Sequence, residues 1–526
     1  MALSTTAGGA LRAPRIDGVA LTAALATLIC AAPALTVLAL ALTPDRESIE
    51  FGGALLRDGA VGTFALMLAG GAGAIAFGAG AAWLVSLCKF PGRGVFEWLL
   101  VIPLAAPSYV LAYSYASLTW AGGVSPVAVE GFWGAAFVYA VGLYPYVYLA
   151  ARAAFASQSS CALEAARTLG ATPMQLFWRV ALPLARPGVA AGGALALMEI
   201  AADYGAAHHF GLTTLSTAIF RAWYAHQNAH AALQISAVLL LAALAFLIVE
   251  RWARGRASYA GASTRWRPLP RYQLAPAPAL AAFLFCGALI AFGAVLPLAW
   301  LARLALLHAN VEDVAGPFLN SLLLAGAGAL ATLALAAAIA VAARRAARFG
   351  KLSIYAAAVG YAAPGAVMAM GALALFSFAR EAGWIGGLGA GLALAALLWT
   401  YAARFAAAGV QPVDAGLQRL SKGIDASART LGAGPWRRLL RIDLPIAAPS
   451  LAAAALILFV EILKELPATL ILRPFDFDTL AVKAYAYASD ERLLEAATPA
   501  LLIFAAGLLP ILILSRGITL ARAGQR

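Results

Sequence analysis

Charge is what this sequence has least of. Asp, Glu, Lys and Arg make up 12% of its 526 residues, and 63% are hydrophobic. A soluble globular protein carries about 25% charged and about 45–50% apolar residues. With a mean hydropathy of +0.85, most of the apolar surface must face lipid, which excludes a water-soluble globular protein. Cysteine is scarce too: Cys30, Cys88, Cys161 and Cys286 are scattered without CxxC spacing. That argues against a disulfide framework or a thiolate metal site and leaves them as small buried hydrophobes. No GxxxxGK[ST] loop occurs, since the only Gly-Lys pair, Gly350-Lys351, runs into Leu352. Without that phosphate cradle the chain does not hydrolyse ATP itself. No nucleophile motif and no paired His/Asp constellation points to an enzyme. The five histidines give no firm metal site: His208 and His209 are adjacent, and only His226 and His230 have an i,i+4 spacing.

Positive charge is in excess, at +13. Nucleic acid recognition would need it on one contiguous surface. Here it falls in short loops between apolar runs, as membrane orientation requires. Runs long enough to cross a bilayer, about 20 residues each, begin near Gly18, Val61, Phe96, Phe132, Pro187 and Ala229. They begin again near Ala277, Phe318, Leu352, Gly386, Pro449 and Leu493. The first, Gly18 to Leu42 behind Arg12 and Arg15, exceeds the roughly 7–15 residues of a signal-peptide core and reads as a retained helix.

The loops between runs alternate in charge. Lys89 and Arg93, then Arg251 to Arg271, then Arg344 to Lys351 lie on one side. Asp45, Glu47, Glu50 and Asp58, then Glu130, then Glu312 and Asp313 lie on the other. Basic loops stay in the cytoplasm, so twelve helices with both termini cytoplasmic are expected. The stretch Arg251 to Arg271, with Gly255, Pro268 and Pro270, reads as a linker, a plain positive-inside connector rather than a lipid-binding segment, although a polybasic stretch can also touch anionic lipid.

A repeat organises the chain. Ala166-Arg167-Thr168-Leu169-Gly170-Ala171 recurs 262 positions on as Ala428-Arg429-Thr430-Leu431-Gly432-Ala433. The same offset carries Pro173 onto Pro435, Leu182-Pro183 onto Leu444-Pro445, Pro187 onto Pro449 and Glu199 onto Glu461. Upstream, Ala105-Ala106-Pro107 is echoed by Ala362-Ala363-Pro364. Shared apolar composition does not produce such a register. Two domains are therefore expected, residues 1–262 and 263–526, each with six crossings. An even number gives both halves one orientation, with the symmetry axis along the membrane normal and a path between them.

Each half has a polar loop between its fourth and fifth runs, near 158–186 and 412–448. Glu164 to Leu169 reads as a short helix ended by Gly170 in the left-handed C′ position. Thr172, Pro173 and Gln175 then form a capping box opening a second helix, which Pro183 is expected to stop. The second copy uses Gly432, then Gly434 as cap, Pro435, and Pro445 as the stop.

Glu164-Ala165-Ala166, Gly170 and Leu182-Pro183, with Ala428, Gly432 and Pro445, resemble the EAA loops of binding-protein-dependent ABC importer permeases. The resemblance implies the MetI-like all-α permease fold, a bacterial inner-membrane location and loops that dock on an ATPase dimer. It also implies no cofactor in this chain, ATP and Mg belonging to that ATPase. The second copy departs from the pattern: Ala426 stands where the glutamate belongs, with Asp425 one residue earlier. A secondary transporter would also allow duplicated halves, but it does not account for two such loops.

Glu461 to Thr469, Arg473-Pro474-Phe475, Phe477 to Leu480 and Ala488 to Arg492 resemble the fused permeases of ferric-iron importers, as do Asp203-Tyr204-Gly205, Phe210-Gly211 and Arg221-Ala222-Trp223. This implies a periplasmic ferric-iron-binding protein as partner. Related fused permeases carry thiamine, polyamines or phosphonates. From the residues themselves, Glu199 and Asp203, like Glu461 and Glu465, are four apart and are expected to share a helix face. Carboxylates at that depth are costly and are functional or paired. They either line a cation pathway or form salt bridges to Arg221, Lys464 or Arg473 that hold an outer gate.

Overall fold

The computed structural model describes residues 18–43, 46–120, 129–158, 160–255, 271–308, 311–345, 347–386, 389–418, 422–432 and 434–523. Arg12, Arg15, Asp45, most of the linker and the 262/263 boundary lie outside the described residues. In lipid the backbone must satisfy its own polar groups, and the long apolar runs accordingly form helices. The first half contains α1 (Gly18–Ala41), α2 (Arg46–Leu87), α3 (Arg93–Leu99), α4 (Ser108–Trp120), α5 (Gly131–Ala156), α6 (Ser160–Thr168), α7 (Pro173–Leu176), α8 (Leu182–Ala202), α9 (Gly205–His209), α10 (Leu215–Phe220) and α11 (Ala229–Gly255). The second contains α12 (Pro276–Ile290), α13 (Leu296–Leu307), α14 (Val311–Arg345), α15 (Ala347–Ala362), α16 (Gly365–Glu381), α17 (Ala390–Gln418), α18 (Lys422–Thr430), α19 (Pro435–Arg438), α20 (Leu444–Leu463), α21 (Pro467–Leu472), α22 (Leu480–Ser489) and α23 (Leu493–Ala523).

Among the described residues, 9 helices are long and apolar enough to cross a membrane, and two bent pairs bring the number to 11. α23 adds a shorter apolar stretch, Leu493–Leu508, so all twelve expected runs are present. The third and ninth are not single rods. α3 and α4 meet at 90°, and α15 and α16 at 111°, at the echoed Ala-Ala-Pro triplets. Proline disfavours the helical region for the residue before it, and Ala106 is extended at φ −91°, ψ 118°. Pro364 itself is extended at φ −58°, ψ 148°.

α2, α5 and α8 pack on one another, and α14, α17 and α20 repeat that triangle. The first helix of each half crosses over to the other half. α1 packs on α14, α15, α16 and α17. Trp399 Nε1 donates to the Ile29 carbonyl at 3.0 Å, and a Cβ at Gly371 would lie 2.0 Å from the Pro33 oxygen, so only glycine permits this approach. In return α12 packs on α2 and α3, and α13 on α4; Trp300 Nε1 donates to Ser117 Oγ at 3.0 Å. The two sequence halves are thus interlocked. Beyond the linker, β2 (Tyr272–Gln273) pairs in parallel with β1 (Cys88–Lys89).

Candidate functional site

The repeated loops fold alike. α6 and α18, and α7 and α19, occupy positions 262 apart. Gly170 and Gly432 are left-handed at φ +80° and +74°. After α6, Gly170 N–H donates to Arg167 at 2.9 Å and Ala171 N–H to Ala166 at 3.1 Å, the Schellman pattern that satisfies a helix's last carbonyls. The capping box is made in both directions: Gln175 N–H donates to Thr172 Oγ1 at 3.3 Å, and Thr172 N–H to Gln175 Oε1 at 3.0 Å. Leu169 and Leu431, 87% and 86% exposed, stand at the two tips. Glu164 and Ala165 are exposed beside the first, whereas Ala428 is buried in the second. The side chain of Asp425 lies outside the described ones. Arg167 stacks on the Tyr272 ring, 4.3 Å from its centre, tying the first loop to the end of the linker.

Pro183 and Pro445 do not stop the second helix of either loop. A wider π turn, Phe177–Ala181 in one half and Leu439–Asp443 in the other, leads without a break into α8 and α20. Proline in an α-helix clashes with the carbonyl four residues back. The π turn, with Leu182 N–H reaching Phe177 O, adds a residue just ahead of the proline and relieves that clash. A third π turn, Ala291–Val295, precedes Pro297 in the same way.

The four acids meet in one cavity of about 80 Å³ between the halves, together with Arg404 and Lys464. They are not two pairs on two helix faces. α8 ends at Ala202 and α20 at Leu463, before the prolyl or glycyl starts of α21 and α9. Asp203 and Glu465 instead accept the Ala206 and Ala468 N–H groups, at 2.8 and 3.1 Å, capping those short helices. Glu465 is also ion-paired with Arg404, and Glu461 with Lys464 at 3.0 Å. Glu199 makes no hydrogen bond or ion pair with any described residue.

Of the expected salt-bridge partners only Lys464 is used. Arg221 donates to Thr213 Oγ1 at 3.2 Å, and Arg473 pairs with Asp478. Arg404 was the residue missed. A lone arginine inside the apolar run of α17 needs a buried anionic partner, and that was its signal.

Residues 74–256 match the family of binding-protein-dependent transport system inner membrane components. The Fe(3+)-transport system permease protein FbpB 2 of Haemophilus influenzae is 26% identical over 466 residues, which cover 86% of this chain and 88% of that one. A match of that extent runs through both halves. The molybdenum transport system permease protein ModB of Escherichia coli is 28% identical over 191 residues, 34% of this chain and 83% of ModB. The sulfate transport system permease protein CysT of Synechococcus elongatus is 34% identical over 129 residues, 23% of this chain and 46% of CysT. Residues 74–256 thus carry the binding-protein-dependent inner-membrane permease component, and the chain is similar to such a permease over most of its length. It is a multi-pass transport subunit of the inner membrane.

On the face of the permease opposite the loops, aromatic rings close the seam between the halves. Tyr204 and Tyr485 share a hydrogen bond of 2.6 Å, Phe220 stacks on Tyr204 at 3.7 Å, and Tyr224 donates to the Leu470 carbonyl at 2.7 Å. Above this seal lies a hollow of about 560 Å³ lined in part by Glu130, His208, His209 and Glu491. Burial, then the neighbouring His208, lowers the His209 pKa to about 4. Burial, then Arg221, lowers that of His208. Both rings are therefore neutral at pH 7. Among the described residues no three His, Cys, Asp or Glu side chains converge to hold a metal.

Proposed function

We propose that this permease is the membrane subunit of an ATP-binding-cassette importer that takes ferric iron from a periplasmic binding protein and delivers it to the cytoplasm. The observation that carries the reading is the pair of like-folded loops 262 residues apart, in a chain similar over both halves to an Fe(3+)-transport permease. Positive loops lie on the side of the two hairpins, so the hairpins and both termini are cytoplasmic. An ATPase dimer, which holds the ATP and Mg, docks there, with Leu169 and Leu431 as apolar contacts. The chain itself carries no cofactor. The binding protein docks on the opposite face, above the aromatic seal.

Transport follows from rigid-body movement of the halves as the ATPase dimer closes. The seal at Tyr204 and Tyr485 parts, and the cargo passes the charged cavity. Of the four acids Glu199 is the one with no hydrogen bond or ion pair to a described residue, with Lys464 and Arg404 beside it in the cavity. Glu461 and Glu465 have resident counter-ions, and Asp203 is engaged as a helix cap.

The test is radiolabelled ferric iron uptake in iron-starved cells with and without this gene, its neighbours intact. Loss of uptake, restored from a plasmid, is the expected result. Unchanged uptake in a strain with no second iron system would remove iron as the cargo and turn the search to thiamine, polyamines and phosphonates. Co-purification of an ATPase separates an importer from a secondary transporter.

A further inference from the structure

The outer face carries two equivalent loops that differ in one decisive respect. Residues 210–214 and 475–479 correspond: each has a phenylalanine, then a left-handed residue, Gly211 at φ +68° and Asp476 at φ +60°. Each ends in a threonine that caps the next helix, Thr214 for α10 and Thr479 for α22. In the first half Phe210 is 9% exposed, and in the second Phe475 is 93% exposed.

Phe210 seats against Gly134, where an added Cβ would come 3.2 Å from its ring. The residue 262 positions on from Gly134 is Ala396, so the second half has no glycine at that position. Phe475 is left outside, on a loop held in place. Arg473 pairs with Asp478, and Asn320 Nδ2 donates to the Asp478 carbonyl at 3.0 Å. Beside the first loop is the hollow of about 560 Å³, lined by residues of both halves, Phe210 and Gly211 among them. Its lining contains Glu130 and Glu491 and, among the described residues, no lysine or arginine. Tyr113, 2% exposed, lines it with a hydroxyl that has no partner.

We infer that the outer face is keyed, so that the binding protein docks in one orientation only, with an apolar socket over Phe475 and a basic side chain in the Glu130–Glu491 hollow. This rests on the importer reading above. A fixed, exposed aromatic ring is the kind of anchor that dominates binding at interfaces, and carboxylates in a hollow select a cationic partner group. Lipid is the poorer occupant for Phe475. Interfacial belts favour Trp and Tyr, anionic head groups attract basic residues, and the neighbours of Phe475 are Asp476 and Asp478.

The experiment uses the full-length permease in phospholipid nanodiscs and the iron-loaded ferric-binding protein of the same organism. Phe475→Ala, at an exposed position, should leave folding intact and weaken binding about tenfold or more. Phe475→Trp should restore binding, and its fluorescence should shift to the blue when the binding protein is added. Glu130→Gln with Glu491→Gln should weaken binding and flatten its salt dependence. A cysteine at 475 should cross-link to probes on one lobe of the binding protein and not the other. Unchanged affinity in Phe475→Ala, equal cross-linking to both lobes, or quenching of Phe475→Trp by brominated lipid would each overturn the proposal. Failure of the unmodified permease to bind the protein at all would instead strike the importer reading beneath it.

Discussion

The two halves keep the same scaffold and divide the charges between them unequally. Where the second half has Arg404 and Lys464, the first has Gly142 and Ala202 at the matching positions, and both small residues line the shared cavity. Glu461 and Glu465 are neutralised by cations of their own half. The corresponding Glu199 and Asp203 have none of their own. What supports the framework is duplicated: the loops, the π turns, and the caps at Asp203 and Glu465. The chemistry in the cavity is not. A fused chain permits this, because each copy can diverge without its twin changing with it.

The comparison breaks most sharply at Arg404. Arg404→Ala leaves Glu465 buried without its counter-ion, a cost of about 3–5 kcal/mol. Thermal unfolding of the purified protein should show a large loss of stability, and Glu465→Gln in the same chain should recover part of it. Equal stability of the single variant and wild type would mean that the pair is not structural.

Next in size are Gly170→Val and Gly432→Val. A residue other than glycine held left-handed costs about 1–2 kcal/mol, equivalent to roughly tenfold in an equilibrium. ATP hydrolysis by the assembled transporter should continue while uptake falls. If only one variant uncouples, the loops are unequal in function as well as in sequence.

Ala202→Lys sharpens the contrast. It gives Glu199 the partner that Glu461 already has, so uptake should fall with little change in unfolding temperature, and Glu199→Gln should do the same. Normal uptake in both would end the case for Glu199 as the pathway carboxylate. The smallest effect is expected at Thr172→Ala, which removes half of the capping box for about 1 kcal/mol. It should be read as faster hydrogen exchange confined to the first loop. The second loop, with Gly434 in the cap position, has no such side chain to lose.

Much of this was legible in the residues. The offset of 262 fixed both loops, and glycine and proline chemistry placed Gly170, Gly432 and the Thr172–Gln175 box correctly. Of the twelve apolar runs, nine became helices long enough to cross a membrane, two became bent pairs, and the last a shorter apolar helix. The misreadings share a cause. Pro183 was read by its local rule, which a neighbouring π turn evades. Asp203 and Glu465 were read by helical spacing, though the helices end before them. The pairing of Arg404 with Glu465, 61 positions away, and the crossing of α1 to the second half depend on long-range packing. Uniformly apolar helices carry almost no local mark of which neighbour they will meet.

The unbroken run through Pro183 has a mechanical consequence. From Pro173 at the loop to Glu199 at the cavity the chain is one beam, about 39 Å long at 1.5 Å per residue. Tilting such a beam by about 5° swings its far end by roughly 3 Å, comparable to the width of a water molecule. Movement imposed at the cytoplasmic end thus arrives at the carboxylate as leverage, with no relay of intervening parts. The wide turn beside Pro183 and the proline at 187 are the places where that beam can bend.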